Sequence, residues 1–473
     1  MMSNSLVTEG TVAVVGGGLV GSLVACVLAK RGYRVELFEM RGDIRQMEFV
    51  QGKSINLALS ERGRSALRLL DLEKNLIEKF AIPMRARLIH DLDGRRRAIP
   101  YGREGQFINS ISRRHLNEIL LTAAEEYKDK LVIRFDHKLL SCKLDKGEMQ
   151  FLDSQSGRKV SKQASVIIGS DGAHSRIRDE MMRRERFKYS QEYIDHGYLE
   201  LCIPPDENGR HRMELNYLHI WPRGSFMMIA LPNLDGSYTV TLFMPFSQFE
   251  AIKSEKELIK FFGEYFPDSI ELIGRKNLVN TFFQVGPSSL ISLKCDPYNY
   301  KNKALLIGDA AHAMVPFYGQ GMNCGLEDVT ILDQLLENFE LSNALEKFSE
   351  IRVKDGHAIC ELALYNYIEM RDLVNSRSFI LRKYFDNFMN RLLPNYWIPL
   401  YTMVTFSRIP YSECIRKRKQ QDNLLGYGVT FLKLISLIFV IKFAVQKESS
   451  IILEEIYHWV HDSMIFISPK SRI

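Results

Sequence analysis

A mixed α/β chain is what the 473-residue sequence predicts, and three observations predict it. The apolar run Val12-Ala13-Val14-Val15 leads directly into Gly16-Gly17-Gly18-Leu19-Val20-Gly21, a glycine spacing that belongs between a strand and a helix. Two later apolar runs also break into an acid and small residues, Val166-Ile167-Ile168-Gly169-Ser170-Asp171-Gly172 and Leu305-Leu306-Ile307-Gly308-Asp309-Ala310. Between them, Tyr198 to Leu201, Leu215 to Trp221, Phe226 to Leu231 and Tyr238 to Met244 read as strands punctuated by Pro-Arg-Gly and Asp-Gly-Ser turns. The expected architecture is a Rossmann-like nucleotide-binding domain drawn from residues 8–195 and 288–335, with an antiparallel sheet domain at 196–287. A helical region at 336–415 and a terminal segment at 416–473 complete it.

Each element has a physical reason. Gly16 permits the tight turn out of the first strand, Gly18 lets backbone approach a pyrophosphate, and Gly21 lets the following helix lie close to the sheet. Glu39 closes the run Val35-Glu36-Leu37-Phe38, at the distance where an acid accepts hydrogen bonds from ribose hydroxyls. A glycine motif alone is weak evidence; strand before, helix after and acid downstream make it specific. Ser112 is a plausible N-cap for a helix whose Leu116, Ile119, Leu120, Ala123, Ala124 and Tyr127 share one face. The return ending at Asp171 reads, by itself, equally as an ordinary loop exit. The return ending at Asp309 carries more: Pro316 fixes the backbone and a helix opens near Gly321. Its free N–H groups and positive dipole end suit an anion.

These three segments, in this order, resemble the single-component FAD-dependent aromatic hydroxylases, and the resemblance spans nearly the whole chain. Longer strings narrow it: Pro83 to His90, Ala98 to Gly102, Asn216 to Arg223, Tyr365 to Arg371 and Ile398 to Arg408 closely resemble the kynurenine 3-monooxygenase family. The resemblance implies FAD contacts at Val20, Glu39, Met40, Arg41, Ala58, Arg113, Leu139, Asp171, Asp309, Met322 and Asn323, beside the glycine loop. It implies that Arg87, Tyr101, Asn366 and Tyr401 hold the amino-acid end of L-kynurenine. A guanidinium fork matches a carboxylate. Without the family, Arg87 reads as a strand arginine sharing a face with Arg85, and Asn366 as a satisfied core amide.

The implied chemistry is the cofactor's: NADPH reduces FAD, O2 adds to give a C4a-hydroperoxide, and one oxygen passes to the ring carbon ortho to the aniline nitrogen. No catalytic side chain is expected, His312 reads as structural, and Cys324, where a smaller residue is common, is expected to have no redox role. Candidate pocket walls are Phe317, Met228, Ile229 and Leu242-Phe243-Met244, each of which reads equally as ordinary core. With one Rossmann unit visible, NADPH is expected to dock in transit. The alternative is an FAD-dependent hydroxylase of another aromatic or a quinone-type substrate, which would not need the four clamp residues together.

The formal charge of +6 is mild for this length and does not suggest nucleic acid. Seven dispersed cysteines without metal spacing argue for a reducing compartment and against a metal centre. The basic cluster Arg416-Lys417-Arg418-Lys419 precedes the apolar stretch Leu424 to Val445, about long enough to cross a bilayer. Lys433 near mid-span costs roughly 3 kcal/mol on insertion. Thr430, Lys433 and Ser436 form a polar stripe, so crossing the membrane and lying in its interface both stay open. The N-terminus carries no secretion signal. The resemblance implies the mitochondrial outer membrane, with the catalytic body facing the cytosol.

Overall fold

The computed structural model describes residues 10–48, 56–102, 105–184, 186–447, 455–457 and 459. It divides into two units, Met1–Cys414 and Ile415–Ile473. The domain start expected at residue 8, and most of the tail beyond residue 447, lie outside the described residues.

The first unit is built on two large sheets. One has six strands, in the order Asn299–Tyr300, Ala304–Leu306, Val166–Gly169, Thr11–Val15, Arg34–Phe38 and Leu131–Arg134. All but the edge pair are parallel. Continuous apolar runs are what such strands need, because the sheet is covered on both faces. Val15 pairs with both Gly169 and Phe38, and Gly169 pairs with Leu306. The strands therefore end together, bringing the Gly16 turn, Asp171, Gly308 and Glu39 to one edge, where open α/β sheets bind ligands.

The other sheet has seven strands, in the order Ser288–Asp296, Lys188–Ile203, Tyr238–Pro245, Met227–Pro232, Tyr217–Pro222, Ala86–His90 and Arg96–Pro100. The strands expected within 196–287 form, and the sheet is completed from both sides of that span. It is antiparallel except at one joint, where Ala86–His90 runs parallel to Tyr217–Pro222. Period-two alternation divides its side chains between two faces. Trp221, Met228, Leu242 and Met244 pack into a core with Leu258, Phe262 and Leu278 of the neighbouring helices. Three of the expected pocket residues, Met228, Leu242 and Met244, are thus core. Ile229 packs instead near Met84, Tyr101 and Tyr401, and Phe243 meets Phe317 edge-on with ring centroids 4.8 Å apart.

The parallel joint sets the register of Arg87, which pairs with Leu218 while Leu88 pairs with His219. Buried His90 and His219 lock it: Nε2 of His90 lies 2.9 Å from Nδ1 of His219, and Nδ1 of His90 lies 2.7 Å from the Asp268 carboxylate. Nε2 of His219 lies 2.8 Å from the Glu214 carbonyl, and burial pushes the His219 pKa down from 6.5 to about 4. A depressed histidine contributes stability that is complete above its unfolded pKa and is lost as pH falls through the folded one. Thermal melting is accordingly expected to weaken between pH 6.5 and about 4, less so in His219→Gln.

Helices Leu341–Arg371, Arg377–Leu392 and Leu400–Thr405 finish the first unit. The chain then enters helix Tyr411–Lys447. Its stretch Tyr411–Phe443 is long and apolar enough to cross a membrane, and the apolar window is not buried within the protein.

Candidate functional site

The glycine loop is shaped by close approach. Gly16 has φ +102°, and a Cβ there would lie 2.4 Å from the Ser170 carbonyl oxygen. A Cβ on Gly21 would lie 1.8 Å from the Gly16 carbonyl oxygen, whereas one on Gly18 would meet nothing within 4 Å. Space is therefore left at Gly18, the residue that precedes helix Leu19–Lys30, where an anion is favoured. Gly21→Ala should force the turn open and give protein that purifies without bound FAD, measured by its visible absorbance.

Several of the other expected cofactor residues lie around this edge. The Glu39 carboxylate accepts from the Gly17 N–H at 2.8 Å and the Arg41 N–H at 3.0 Å. Met40 beside it is exposed. Leu139 is buried in strand His137–Lys143, whose first N–H donates to the Glu39 carbonyl at 2.8 Å. Asp171 accepts from the Arg176 N–H at 2.7 Å through one oxygen, while its other oxygen, buried, has no partner. Burial raises its pKa, with hydrogen bonds opposing. Val20 fits against Gly308 and Gly325, joining the glycine loop to the turn before Asp309 and to helix Gly321–Leu335. Arg113 opens helix Arg113–Glu125, capped by Ser112 as expected, and its charge opposes the upward pull of burial on Glu200.

Asn323 is spent on the protein. Its Nδ2 donates to the carbonyls of Ala58 and Gly319 at 2.7 and 2.6 Å, and its Oδ1 accepts from the Ser60 N–H at 2.8 Å. What it and Met322 offer a ligand is the first-turn backbone N–H. An open glycine cradle, an acid at the second strand, an orphaned carboxylate oxygen and a helix N-terminus together fit FAD. They lie along one sheet edge, as the cofactor's length requires.

The expected substrate residues also meet. Arg87, 3% exposed, donates from Nη1 to Glu369 at 2.9 Å, and its guanidinium lies 4.5 Å from the centre of the Tyr401 ring. Tyr401 stacks with both Tyr101 and Tyr318, each pair 5.5 Å between centroids. Asn366 donates to the Phe317 carbonyl at 2.8 Å. The Tyr101 hydroxyl and the Asn366 Oδ1 are buried without partners. Such orphans are costly, and a ligand that satisfies them recovers the cost. Phe317 stacks on Tyr367 at 3.8 Å, forming an aromatic wall with Phe243. Burial would lower the Arg87 pKa, but Tyr401 and Glu369 hold it raised. Burial pushes Tyr101 well above 10, so its hydroxyl stays protonated.

Glu369, Lys383 and Tyr318 were not legible as site residues. Glu369 had a signal: it lies one helical turn beyond Asn366, on the same face of Leu341–Arg371. Lys383 had none; burial pushes its pKa from 10.5 to about 8, with Arg87 adding to the effect and Glu369 opposing it.

Behind the Gly308 turn lies a buried ionic network. His312 Nε2 lies 2.7 Å from Asp328, which also accepts from Arg352 Nε at 2.7 Å and from the Gly308 N–H at 2.8 Å. Burial would lower the His312 pKa, yet Asp328 and Cys324 hold it well above 6.5, as befits a structural ion pair. His312, Cys324 and Asp328 cluster closely enough to ligate a metal. Arg352 already donates to Asp328 and, at 3.1 Å, to the Cys324 sulfur, so a cation of the protein's own fills that role. Arg62 is 0% exposed and spends its donors on Glu327, at 2.7 and 2.8 Å, and on the carbonyls of Met403, Val404 and Ile409.

Residues 9–353 match the family model described as FAD binding domain. The kynurenine 3-monooxygenase of Anopheles gambiae is 53% identical over 417 residues, covering 88% of this chain and 85% of that protein. That of Sus scrofa is 49% identical over 434 residues, 91% of each. Among solved structures, the tetrameric form of 2-methyl-3-hydroxypyridine-5-carboxylic acid oxygenase aligns with TM-score 0.60 at 21% identity, covering 76% of this chain and 92% of that one. PqsL of Pseudomonas aeruginosa, in complex with 2-aminobenzoylacetate, aligns with TM-score 0.58 at 16% identity, covering 77% and 97%. At that identity the structures establish the fold, while the relatives establish more: the chain belongs to the kynurenine 3-monooxygenase family of FAD-dependent aromatic monooxygenases.

Proposed function

We propose that this chain hydroxylates L-kynurenine to 3-hydroxy-L-kynurenine, with FAD as cofactor and NADPH and O2 as co-substrates. The observation that carries the reading is buried Arg87 paired with Glu369, flanked by the unsatisfied Tyr101 hydroxyl and Asn366 Oδ1. A zwitterionic amino acid is the ligand that such a set suits: Arg87 faces its carboxylate, Glu369 neutralises its ammonium, and Tyr101, Tyr401 and Asn366 orient it. Bound FAD supplies hydride acceptance from NADPH and activation of O2. The protein's own task is to hold the arene in place and exclude water, for which the Phe317, Phe243 and Tyr367 wall is suited.

The reading extends to the tail. Helix Tyr411–Phe443 anchors the protein in a membrane, proposed to be the mitochondrial outer membrane with the catalytic unit facing the cytosol. The basic cluster at 416–419, on the catalytic side of the apolar stretch, supports that orientation.

Purified full-length protein tests the assignment. Flavin absorbance and NADPH oxidation stimulated by L-kynurenine, with 3-hydroxykynurenine as product, are expected. Stimulation by phenols or quinone headgroups but not by L-kynurenine would favour the other hydroxylase reading.

A further inference from the structure

Helix Arg377–Leu392 is amphipathic with its faces reversed. Leu381, Tyr384, Phe385, Phe388 and Leu392 follow the spacing of one helical stripe, and all are exposed, from 37% at Phe385 to 71% at Tyr384. Two polar residues, Asp386 and Asn390, point inward, each 5% exposed. Asp386 accepts from Arg382 Nε and Trp397 Nε1, both at 2.9 Å, and Asn390 donates to the Trp397 carbonyl at 2.7 Å. The helix is therefore docked by its hydrogen-bonding side, and the apolar side is what remains. Tyr396, 85% exposed, prolongs the patch, and exposed Arg377 and Arg391 stand at the two ends of the helix.

A continuous apolar patch of this kind marks an interaction surface. We propose that the outer face of Arg377–Leu392 lies in the headgroup region of a lipid bilayer, a second membrane contact made by the catalytic unit itself. The inference rests on the reading of Tyr411–Phe443 as a membrane anchor. A chain so tethered keeps this unit at a bilayer surface, and lipid is the apolar phase always within reach. The side chains agree: tyrosine, phenylalanine and leucine between arginines is the composition of helices that lie in the membrane interface, with the cations reaching anionic headgroups. The same helix carries Lys383, which is within electrostatic reach of Arg87 and Glu369.

The test uses the full-length protein in vesicles of phosphatidylcholine and phosphatidylserine. A bimane fluorophore is attached in turn to Phe388→Cys, to Phe431→Cys in the anchor and to Lys256→Cys on the exposed surface of Glu255–Tyr265, with unlabelled positions corrected by the parent protein. Nitroxide-bearing lipid should quench the probe at 388 at least about twofold, and aqueous iodide should quench it far less than the probe at 256. Quenching at 431 with none by lipid at 388 overturns this proposal alone. If the probe at 388 is also shielded from iodide, the face is covered by protein, a second copy included. Absence of lipid quenching at 431 removes the anchor reading, and this inference with it.

Discussion

Replacing Arg87 by methionine is expected to raise KM for L-kynurenine on the order of 100-fold while leaving bound flavin unchanged. Removing one partner of a buried, hydrogen-bonded charge pair costs about 2–5 kcal/mol, and each 1.4 kcal/mol is a factor of ten. Methionine keeps the volume and the contact with the Tyr401 ring but removes every donor. Lysine is expected to recover little, because a point charge cannot present a fork to a carboxylate. The variant also strands Glu369, which Arg87 pairs at 2.9 Å. Glu369→Gln in the same background should therefore restore thermal stability without restoring KM. Steady-state kinetics and a melting curve separate the two effects; an unchanged KM in Arg87→Met would remove the clamp from the mechanism.

The second large effect is expected from Arg352→Met. Its guanidinium contacts Glu327, Asp328 and the Cys324 sulfur, all in the interior. Breaking such a set from one side costs about 3 kcal/mol, because the buried carboxylates lose one of their cations and Asp328 is left with His312 and Glu327 with Arg62. The loss should reach the cofactor, because Asp328 also receives the Gly308 N–H that shapes the turn before Asp309. A lower melting temperature together with faster flavin release is the expected pair of observations. Asp328→Asn added to Arg352→Met should recover part of the stability; if flavin release alone is unaffected, the network supports the fold and not the cofactor.

The nucleotide-binding half was legible because its strands are covered on both faces and so remain unbroken apolar runs, with glycines where backbone meets backbone. The union of Ala86–His90 with Tyr217–Pro222 was not, since nothing local in residues 86–90 encodes a partner more than a hundred residues away. Arg87 shows the cost of that. Read locally, it shared a face with Arg85; in the fold Arg85 is exposed and Arg87 buried. Alternation gave two faces for strands Met227–Pro232 and Tyr238–Pro245 but not which one met the helices, so residues of both faces stayed candidates until Met228, Leu242 and Met244 packed into the core and Ile229 and Phe243 on the other side. Helix Arg377–Leu392 poses the same problem in reverse, since periodicity finds its stripe and cannot say that the stripe faces outward.

Arg62 fastens two partners at once. Through Glu327 it grips the helix that carries Met322 and Asn323, and through the carbonyls of Met403, Val404 and Ile409 it grips the segment that carries Tyr401. Should binding on one side restrain the other, reciprocity requires that each ligand change the other's affinity by the same factor. Kynurenine should strengthen FAD binding by the same factor as FAD strengthens kynurenine binding, read from the two dissociation constants.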